Sequence, residues 1–145
     1  MAAEKTMHVH LEQVGAVAFE VTAGSGGMLV VDGAPDIGGE GKGMRPMELL
    51  LSAIASCSLM DILHILRKQK EPIEHITVDI EGAREDVVPS PFTRIKLVFI
   101  ARGKVDEHKL QRAVQLAVEK YCSVSATLSR DVAVTWEARL LAPTE

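Results

Sequence analysis

Short alternations of apolar and polar residues predict three β-strands in the first third of the chain. Residues 6–13 alternate throughout, which is the pattern of a half-buried strand. Residues 17–21 alternate again after a turn at Gly15, so the two segments together predict a hairpin. A glycine-rich turn at 24–27 and a short apolar run at 28–31 add the third strand.

A long loop and a long helix are predicted next. Residues 32–46 hold five glycines and two prolines without an apolar period, which predicts a long flexible loop of the kind that is often functional. Apolar residues then point in nearly every direction between Leu49 and Met60, which is typical of a helix buried on all sides. The helix becomes amphipathic after Asp61 and ends before Pro72.

The second half of the chain predicts two strands, a helix and a last strand. Alternation at 76–81 and 94–97 predicts the two strands, with acidic outer positions on one opposite basic positions on the next. Asp106 is a good N-cap for a helix that reaches Tyr121, and alternation at 132–138 predicts the last strand. The order βββ-α-ββ-α-β, with antiparallel hairpins, indicates an α+β fold.

Composition narrows the possible functions. A chain of 145 residues is expected to form a single domain, 1–145. Aromatic residues make up 3% of it, so the core must be built from aliphatic side chains. The formal net charge is −4, whereas a surface that binds nucleic acid or an anionic membrane requires concentrated positive charge. Neither partner is therefore expected.

The expected location is cytoplasmic. No apolar signal segment follows the first five residues, and the strongly apolar run at 47–60 is too short to span a bilayer of about 30 Å. In a reducing compartment, a permanent disulfide between the two cysteines is not expected. Their pairing would be transient and catalytic, and two inert buried thiols are the alternative.

Cys57 and Cys122 are the candidate redox residues. Cys57 lies in the buried helix between Ser56 and Ser58, where a free cysteine often serves as a small core residue. Cys122 lies where the second predicted helix ends, so it should be more exposed and more adaptable than Cys57. A thiol at such a junction can approach a first thiol and resolve it.

Other polar residues on the long helix allow further interpretations. Asp61 and His64 share a helical face with Cys57, which suggests a metal site or an activated thiol, although three ligands on one helix reach poorly around one ion. Glu48 stands in the first turn, where a carboxylate complements the helix dipole. It also follows Arg45 closely, so the two could form a carboxylate–arginine pair beside a reactive thiol.

Two cysteine motifs resemble those of the osmotically inducible protein C (OsmC) and organic hydroperoxide resistance family. The first runs from Gly43 to Cys57, with a Pro-x-Glu-Leu-Leu-Leu helix start and a cysteine nine residues after Glu48. The second is Glu-Lys-Tyr-Cys-Ser-Val-Ser at 119–125. With the matching element order, the resemblance covers nearly the whole chain.

The resemblance implies an OsmC-like fold, an intertwined homodimer and the cofactor-free reduction of organic hydroperoxides. In the family, the cysteine matched by Cys57 attacks the peroxide as a thiolate and becomes a sulfenic acid. The cysteine matched by Cys122 then condenses with it to a disulfide. Glu48 and Arg45 are expected to act as an orienting pair, and small dithiols, lipoyl groups among them, restore the thiols in related proteins.

One departure from the family leaves alternatives open. Characterised peroxidases of the family carry an activating arginine in the N-terminal part, whereas here Arg45 is the first arginine in the chain. Either Arg45 takes that role, or a partner chain supplies an arginine, or the thiol is weakly activated. Two other functions also remain: a dimer that binds an apolar ligand, with incidental or regulatory thiols, and a hydrolase or metal site built on Cys57, Asp61 and His64.

Overall fold

A computed structural model describes residues 2–145 of the protein, and within them six β-strands and the two predicted α-helices follow the predicted order, with a short third α-helix before the last strand. The α+β class is therefore confirmed. Contacts divide the chain into two units, one up to Leu50 and one over residues 51–145. The elements are β1 (Val9–Gln13), β2 (Phe19–Ala23), β3 (Met28–Val31), α1 (Pro46–Lys68), β4 (Ile73–Arg84), β5 (Phe92–Gly103), α2 (Glu107–Leu116), α3 (Ser123–Thr127) and β6 (Ala133–Leu141).

The first unit contains an antiparallel sheet in the order β1-β2-β3, which confirms the predicted hairpin. Leu11 pairs with Val21 and Val21 with Leu29, so apolar residues share one face of this sheet. The expectation that the first strand is half-buried is wrong for the single chain, because every residue of β1 is exposed. Alternation predicts that a strand has one apolar face to bury, but it does not show whether residues of the same chain bury it.

The predicted loop is present, but it is shaped by a buried carboxylate rather than left free. Asp32 is 2% exposed, and its two carboxylate oxygens accept the backbone N–H groups of Gly33, Glu40 and Lys42 at 2.7, 3.0 and 3.0 Å. These bonds, those from Lys42 and Glu40 first, lower the pKa of Asp32. Gly39 is required here, since a Cβ would lie 1.8 Å from the carbonyl oxygen of Gly33.

The sequence predicted that helix α1 is buried on all sides. In the single chain it is buried along one stripe only. The stripe consists of Ile54, Ala55, Ser58, Ile62 and Leu66. Met60, by contrast, is 68% exposed. Apolar residues on every side of a helix therefore do not all find partners within this chain.

The expectation that the apolar run is too short for a membrane span also needs correction. Within the described residues, α1 has 23 residues and is long and apolar enough to cross a bilayer. The helix continues beyond the strongly apolar run into its amphipathic second half, which the run alone does not count. A core helix can have the same length and composition, so this property does not by itself indicate a membrane protein.

The second unit contains a sheet in the order β4-β5-β6. β4 and β5 are antiparallel, with Glu81 opposite Lys96 as the alternation predicted. β5 and β6 are parallel, a pairing that the expected antiparallel hairpins did not include. The helix between them explains it, because parallel neighbours need a long crossover connection. Buried side chains of β5 and α2 form part of the core: Ile95, Leu97, Phe99, Ala101, Leu110, Ala113 and Val114.

Candidate active site

The two cysteines meet in the second unit although they lie far apart in the sequence. Cys57 is half-buried near the middle of α1, and Cys122 is 3% exposed at the start of α3. Their thiols are close enough to shift each other's pKa, and both are free rather than joined in a disulfide. The expectation that Cys122 is the more exposed of the two is wrong, because packing against α1 covers its sulfur.

A π-helical turn places Cys122 at this position. The expectation that the second helix reaches Tyr121 needs correction, because α2 ends at Leu116 and the chain continues through one wider turn, Ala117–Tyr121. The N–H of Cys122 closes that turn by donating to the carbonyl oxygen of Ala117 at 3.0 Å. Such turns interrupt α-helices and often occur at functional sites. Here the turn allows Cys122 to cap a new helix, with its Sγ accepting the N–H of Ser125 at 3.4 Å.

Two serine hydroxyls lie close to the sulfur of Cys122. The hydroxyl of Ser58, which follows Cys57 on α1 and is fully buried, donates to the carbonyl oxygen of Ile54 at 3.0 Å. The Sγ of Cys122 is 3.9 Å from the same oxygen. The Oγ of Ser125 is also buried and makes no hydrogen bond of good geometry in this structure. The Cys122 sulfur therefore has several groups nearby that can donate hydrogen bonds to it.

The surroundings of Cys57 favour its neutral form. Burial is the largest cause that raises the pKa of the Cys57 thiol, and the adjacent Cys122 sulfur acts in the same direction. The backbone N–H groups of Val124 and Ser123 oppose this by hydrogen-bonding to the Cys57 sulfur. In the single chain the opposition is incomplete, so the thiol form of Cys57 is favoured over the thiolate.

The surroundings of Cys122 have the opposite effect. Burial is again the largest single cause and raises the pKa, but several hydrogen-bond donors together outweigh it and hold the Cys122 pKa below its ordinary value. The groups that lower it are the hydroxyl and N–H of Ser125, the thiol of Cys57 and the hydroxyl of Ser58. Since each can donate a hydrogen bond to a thiolate sulfur, each stabilises the thiolate more than the thiol. Within the pair, Cys122 is thus the sulfur more readily deprotonated.

A cavity of about 330 Å³ opens beside Cys122 and carries charged groups. Glu119, Lys120 and Arg130 line it together with Ser125. The Glu119 carboxylate accepts a hydrogen bond from the indole N–H of Trp136 at 3.1 Å. Small molecules could reach the neighbourhood of the dithiol pair from this side.

Glu48 and Arg45, the other predicted site residues, belong to the first unit. The Oε1 atom of Glu48 accepts the backbone N–H of Arg45 at 2.9 Å. A carboxylate in the first turn that bonds back to the residue before the helix is half of a capping box. Glu48 therefore stabilises the start of α1, and its predicted role as an orienting residue stays a prediction.

Asp61 and His64 line a different cavity, of about 580 Å³, together with Lys68 and Tyr121. Among residues 2–145 no three side chains of His, Cys, Asp or Glu are grouped so that they could hold a metal ion. Cys57, Asp61 and His64 consequently do not form the three-ligand cluster that the sequence allowed. The structure gives this alternative no support.

The sequence did not indicate a role for three residues of the site and its scaffold. Asp32 lies in a glycine-rich loop whose composition does not reveal a buried carboxylate. Ser58 and Ser125 were visible only as polar neighbours of the cysteines. The one signal was a serine on the apolar helix at a position that turns out to be fully buried.

Known proteins are similar to this chain in sequence and in fold. A family model described as "OsmC-like protein" matches residues 39–137. The chain is 31% identical to Protein YhfA of Escherichia coli strain K12 over 137 residues, which are 94% of this chain and 99% of the relative.

Solved structures agree with this comparison. A hypothetical protein from Aquifex aeolicus VF5 is 34% identical, covers 95% of this chain and 99% of its own, and has a TM-score of 0.80. An organic hydroperoxide resistance protein OsmC from Legionella pneumophila has a TM-score of 0.71 at 20% identity, over 95% of this chain and 99% of its own. At that identity the likeness concerns the fold.

Proposed function

Because this chain belongs to the OsmC-like family, we propose that it is a thiol-dependent reductase of organic hydroperoxides that acts in oxidative-stress defence. The observation that carries the proposal is the pair of neighbouring free thiols, Cys57 and Cys122, which the fold brings together from distant parts of the chain. A hydroperoxide resistance protein with the same fold supports the choice of substrate class. An inert structural cysteine would need neither a second thiol nor donors directed at it.

The proposed reaction has three steps. The Cys57 thiolate attacks the hydroperoxide, forming an S–O bond while the O–O bond breaks, and the alkoxide leaves as alcohol after taking a proton. The sulfur of Cys122 then attacks the sulfenic acid, forming the S–S bond while the S–O bond breaks, and hydroxide leaves as water. Finally, an external dithiol, with lipoyl groups among the candidates, donates two electrons and becomes a disulfide itself.

Access supports Cys57 as the attacking residue. Its side chain is half-buried, whereas Cys122 is 3% exposed, so an organic peroxide can approach Cys57 more easily. The N–H groups of Val124 and Ser123 already bond to the Cys57 sulfur. Arg45, in this chain or in a second copy, is our candidate for the cation that completes activation, with Glu48 orienting it.

Exposed apolar residues support a homodimer as the working form. Met60 on α1 is 68% exposed, and Met7, Val9 and Leu11 around β1 are exposed on the sheet of the first unit. An apolar surface of this kind indicates a protein interface. We further propose that the chain forms one OsmC-like domain, since a solved structure similar to it covers 95% of the chain. We also propose that it acts in the cytoplasm.

Mass spectrometry after one equivalent of cumene hydroperoxide tests the proposal. The fully reduced protein should lose two hydrogens, and peptide mapping should locate a disulfide between Cys57 and Cys122. If the peroxide remains and both cysteines stay reduced, the proposal is wrong. A dimer that binds an apolar ligand, with incidental or regulatory thiols, would then be the better hypothesis.

A further inference from the structure

The fully buried hydroxyl of Ser58 and the proposed resolving sulfur lie near the same backbone carbonyl oxygen. Ser58 belongs to the core stripe of α1, where its neighbours Ile54 and Ile62 are apolar and fully buried. Alanine would fit this position and has a higher helix propensity than serine. Because a mid-helix serine that bonds back to its own helix gains little, the hydroxyl calls for another explanation.

The geometry around this hydroxyl offers one. Ser58 has a single hydroxyl hydrogen, and with it the side chain donates a hydrogen bond to the carbonyl oxygen of Ile54 at 3.0 Å. The Cys122 sulfur is 3.9 Å from the same carbonyl, as the donor of a weak S–H hydrogen bond. When Cys122 loses its proton, its sulfur becomes an acceptor, and the Ser58 hydroxyl is among the groups that stabilise it in that form.

We propose that Ser58 is a positioning residue for the resolving step: its hydroxyl donates to the Ile54 carbonyl while Cys122 is a thiol and to the Cys122 sulfur while Cys122 is a thiolate. The proposal rests on the proposed function and adds a residue that the family resemblance does not include. Ser58 touches neither peroxide nor reductant. It acts through Cys122, by keeping that sulfur ready to attack the sulfenic acid.

The charges around Cys122 are consistent with this role. The Ser58 hydroxyl is one of the donors that lower the Cys122 pKa, with Ser125 contributing more. Cys57 is the other titrating group in contact with the sulfur. Glu119, Lys120 and Arg130 line the adjoining cavity. Ser58 is uncharged and fully buried, so its donation is shielded from salt and solvent.

The same hydrogen bond has a consequence for the reductive step. In thiol–disulfide exchange, the sulfur with the lower thiol pKa leaves faster. A small thiolate should therefore attack Cys57, so that a new S–S bond forms there and Cys122 leaves as the thiolate. A second thiol then attacks the mixed disulfide, releases Cys57 and forms the oxidised reductant.

The test compares Ser58→Ala with Ser56→Ala as the matched control. Ser56 is on the same helix and also bonds back to a backbone carbonyl, that of Ala53, but it is exposed. Ser58→Thr, which keeps the hydroxyl, is the rescue variant. For each protein, the pH dependence of Cys122 alkylation is measured in the reduced state by mass spectrometry. Dimedone trapping and disulfide formation are then followed after one equivalent of cumene hydroperoxide.

Ser58→Ala should raise the Cys122 pKa by about one unit and slow disulfide formation roughly tenfold, the effect of losing a hydrogen bond to a charged group. Its first-step peroxide consumption should match wild type, and Ser56→Ala should change neither quantity. Unchanged alkylation and resolution in Ser58→Ala would overturn the positioning role while leaving the proposed function intact. If wild type consumes no hydroperoxide, the proposed function fails, and the alkylation profile still decides whether Ser58 acts on Cys122.

Mapping the mixed disulfide provides a second measurement. Oxidised protein is treated briefly with limiting 2-mercaptoethanol and quenched with acid. The adduct should be found on Cys57 in wild type. An adduct mainly on Cys122 would contradict the assignment of Cys122 as the leaving sulfur.

Discussion

The thiol of Cys57, on the long core helix, and the thiol of Cys122 influence each other's pKa, and the two pKa values are shifted in opposite directions. A pair with this asymmetry has one sulfur that holds its proton and one that gives it up. The single chain supplies donors mainly to Cys122, so the proposed attack by Cys57 requires a further group that stabilises its thiolate. This relationship leads to specific expectations for the variants below.

Replacing the attacking sulfur should abolish the reaction. Cys57→Ser is expected to consume no hydroperoxide, because the serine hydroxyl is a far weaker nucleophile than a thiolate. The measurement is peroxide loss in a ferrous-ion oxidation assay, with wild type and Cys122→Ser in parallel. Consumption close to wild type would remove Cys57 from the first step and make Cys122 the attacking residue.

Replacing the resolving sulfur should stop the cycle after its first step. Cys122→Ser should consume about one peroxide per site and then accumulate sulfenic acid, which excess peroxide converts to the sulfinic form. Mass spectrometry should find added oxygen on Cys57, at one atom and later two. Normal turnover of this variant with a dithiol would show that no internal resolving step is needed.

Replacing Arg45 and replacing Glu48 should have different effects on the Cys57 pKa and on the oxidation rate. Arg45→Ala should raise the Cys57 pKa and slow oxidation, because an arginine near a thiol stabilises the thiolate. Glu48→Gln should reduce the rate with a smaller pKa change, and it should weaken the start of α1, where Glu48 accepts the Arg45 N–H. The measurements are alkylation pH profiles and single-turnover rates, with the exposed Arg112→Ala as control. If Arg45→Ala leaves both unchanged, another residue activates Cys57.

The loop carboxylate gives a pH-dependent contribution to stability. Because the folded-state pKa of Asp32 is lowered, its contribution is fully present above the ordinary carboxyl pKa of about 4 and is lost as pH falls through the lowered value. Asp32→Asn should therefore lower the thermal midpoint at pH 7, on the order of a few degrees, and by less in strong acid. Asp36→Asn, in the same loop but exposed, is the matched control. Equal effects of the two variants would contradict the role assigned to Asp32.

The association state can be measured directly. Light scattering at micromolar protein should give the mass of a dimer, since the exposed apolar surface of α1 and β1 calls for a cover. Leu11→Glu, which places a charge on β1, should shift the protein towards monomer. The exposed Glu12→Lys, a neighbouring change from charge to charge, serves as control. A monomer mass for wild type would overturn the homodimer.

Periodicity predicted most of this fold, because each element carries its own local signal. The alternation around β1 and the cap at Asp106 are examples, and both elements are where they were expected. The π-turn before Cys122 was not predicted, since its residues continue the apolar stripe of α2 without a break. The parallel pairing of β5 with β6 depends on long-range packing, which alternation alone does not encode.

The site was predicted less completely than the fold. Cysteine spacing identified the two thiols, but it could not assign their relative acidity. That property depends on groups such as Ser58 and Ser125, whose position beside Cys122 appears only when α1 and α3 come together. Likewise, Asp32 has no sequence neighbour that marks it as buried, because its partners are backbone N–H groups up to ten residues away.

The π-turn at Ala117–Tyr121 sets the direction in which Cys122 points. Its wider hydrogen-bonded ring accommodates one residue more than an α-helical turn. Since successive residues of an α-helix are about 100° apart, continuing α2 as a regular helix through the same residues would rotate Cys122 by roughly a quarter of a turn and move its sulfur away from α1. Deleting a single residue of the turn, for instance Lys120, would instead let α2 continue as a regular helix with Cys122 near its present direction. The turn thus acts as a phase setting: converting it to an α-helical turn without removing a residue could separate the thiols while every side chain named in the mechanism is still present.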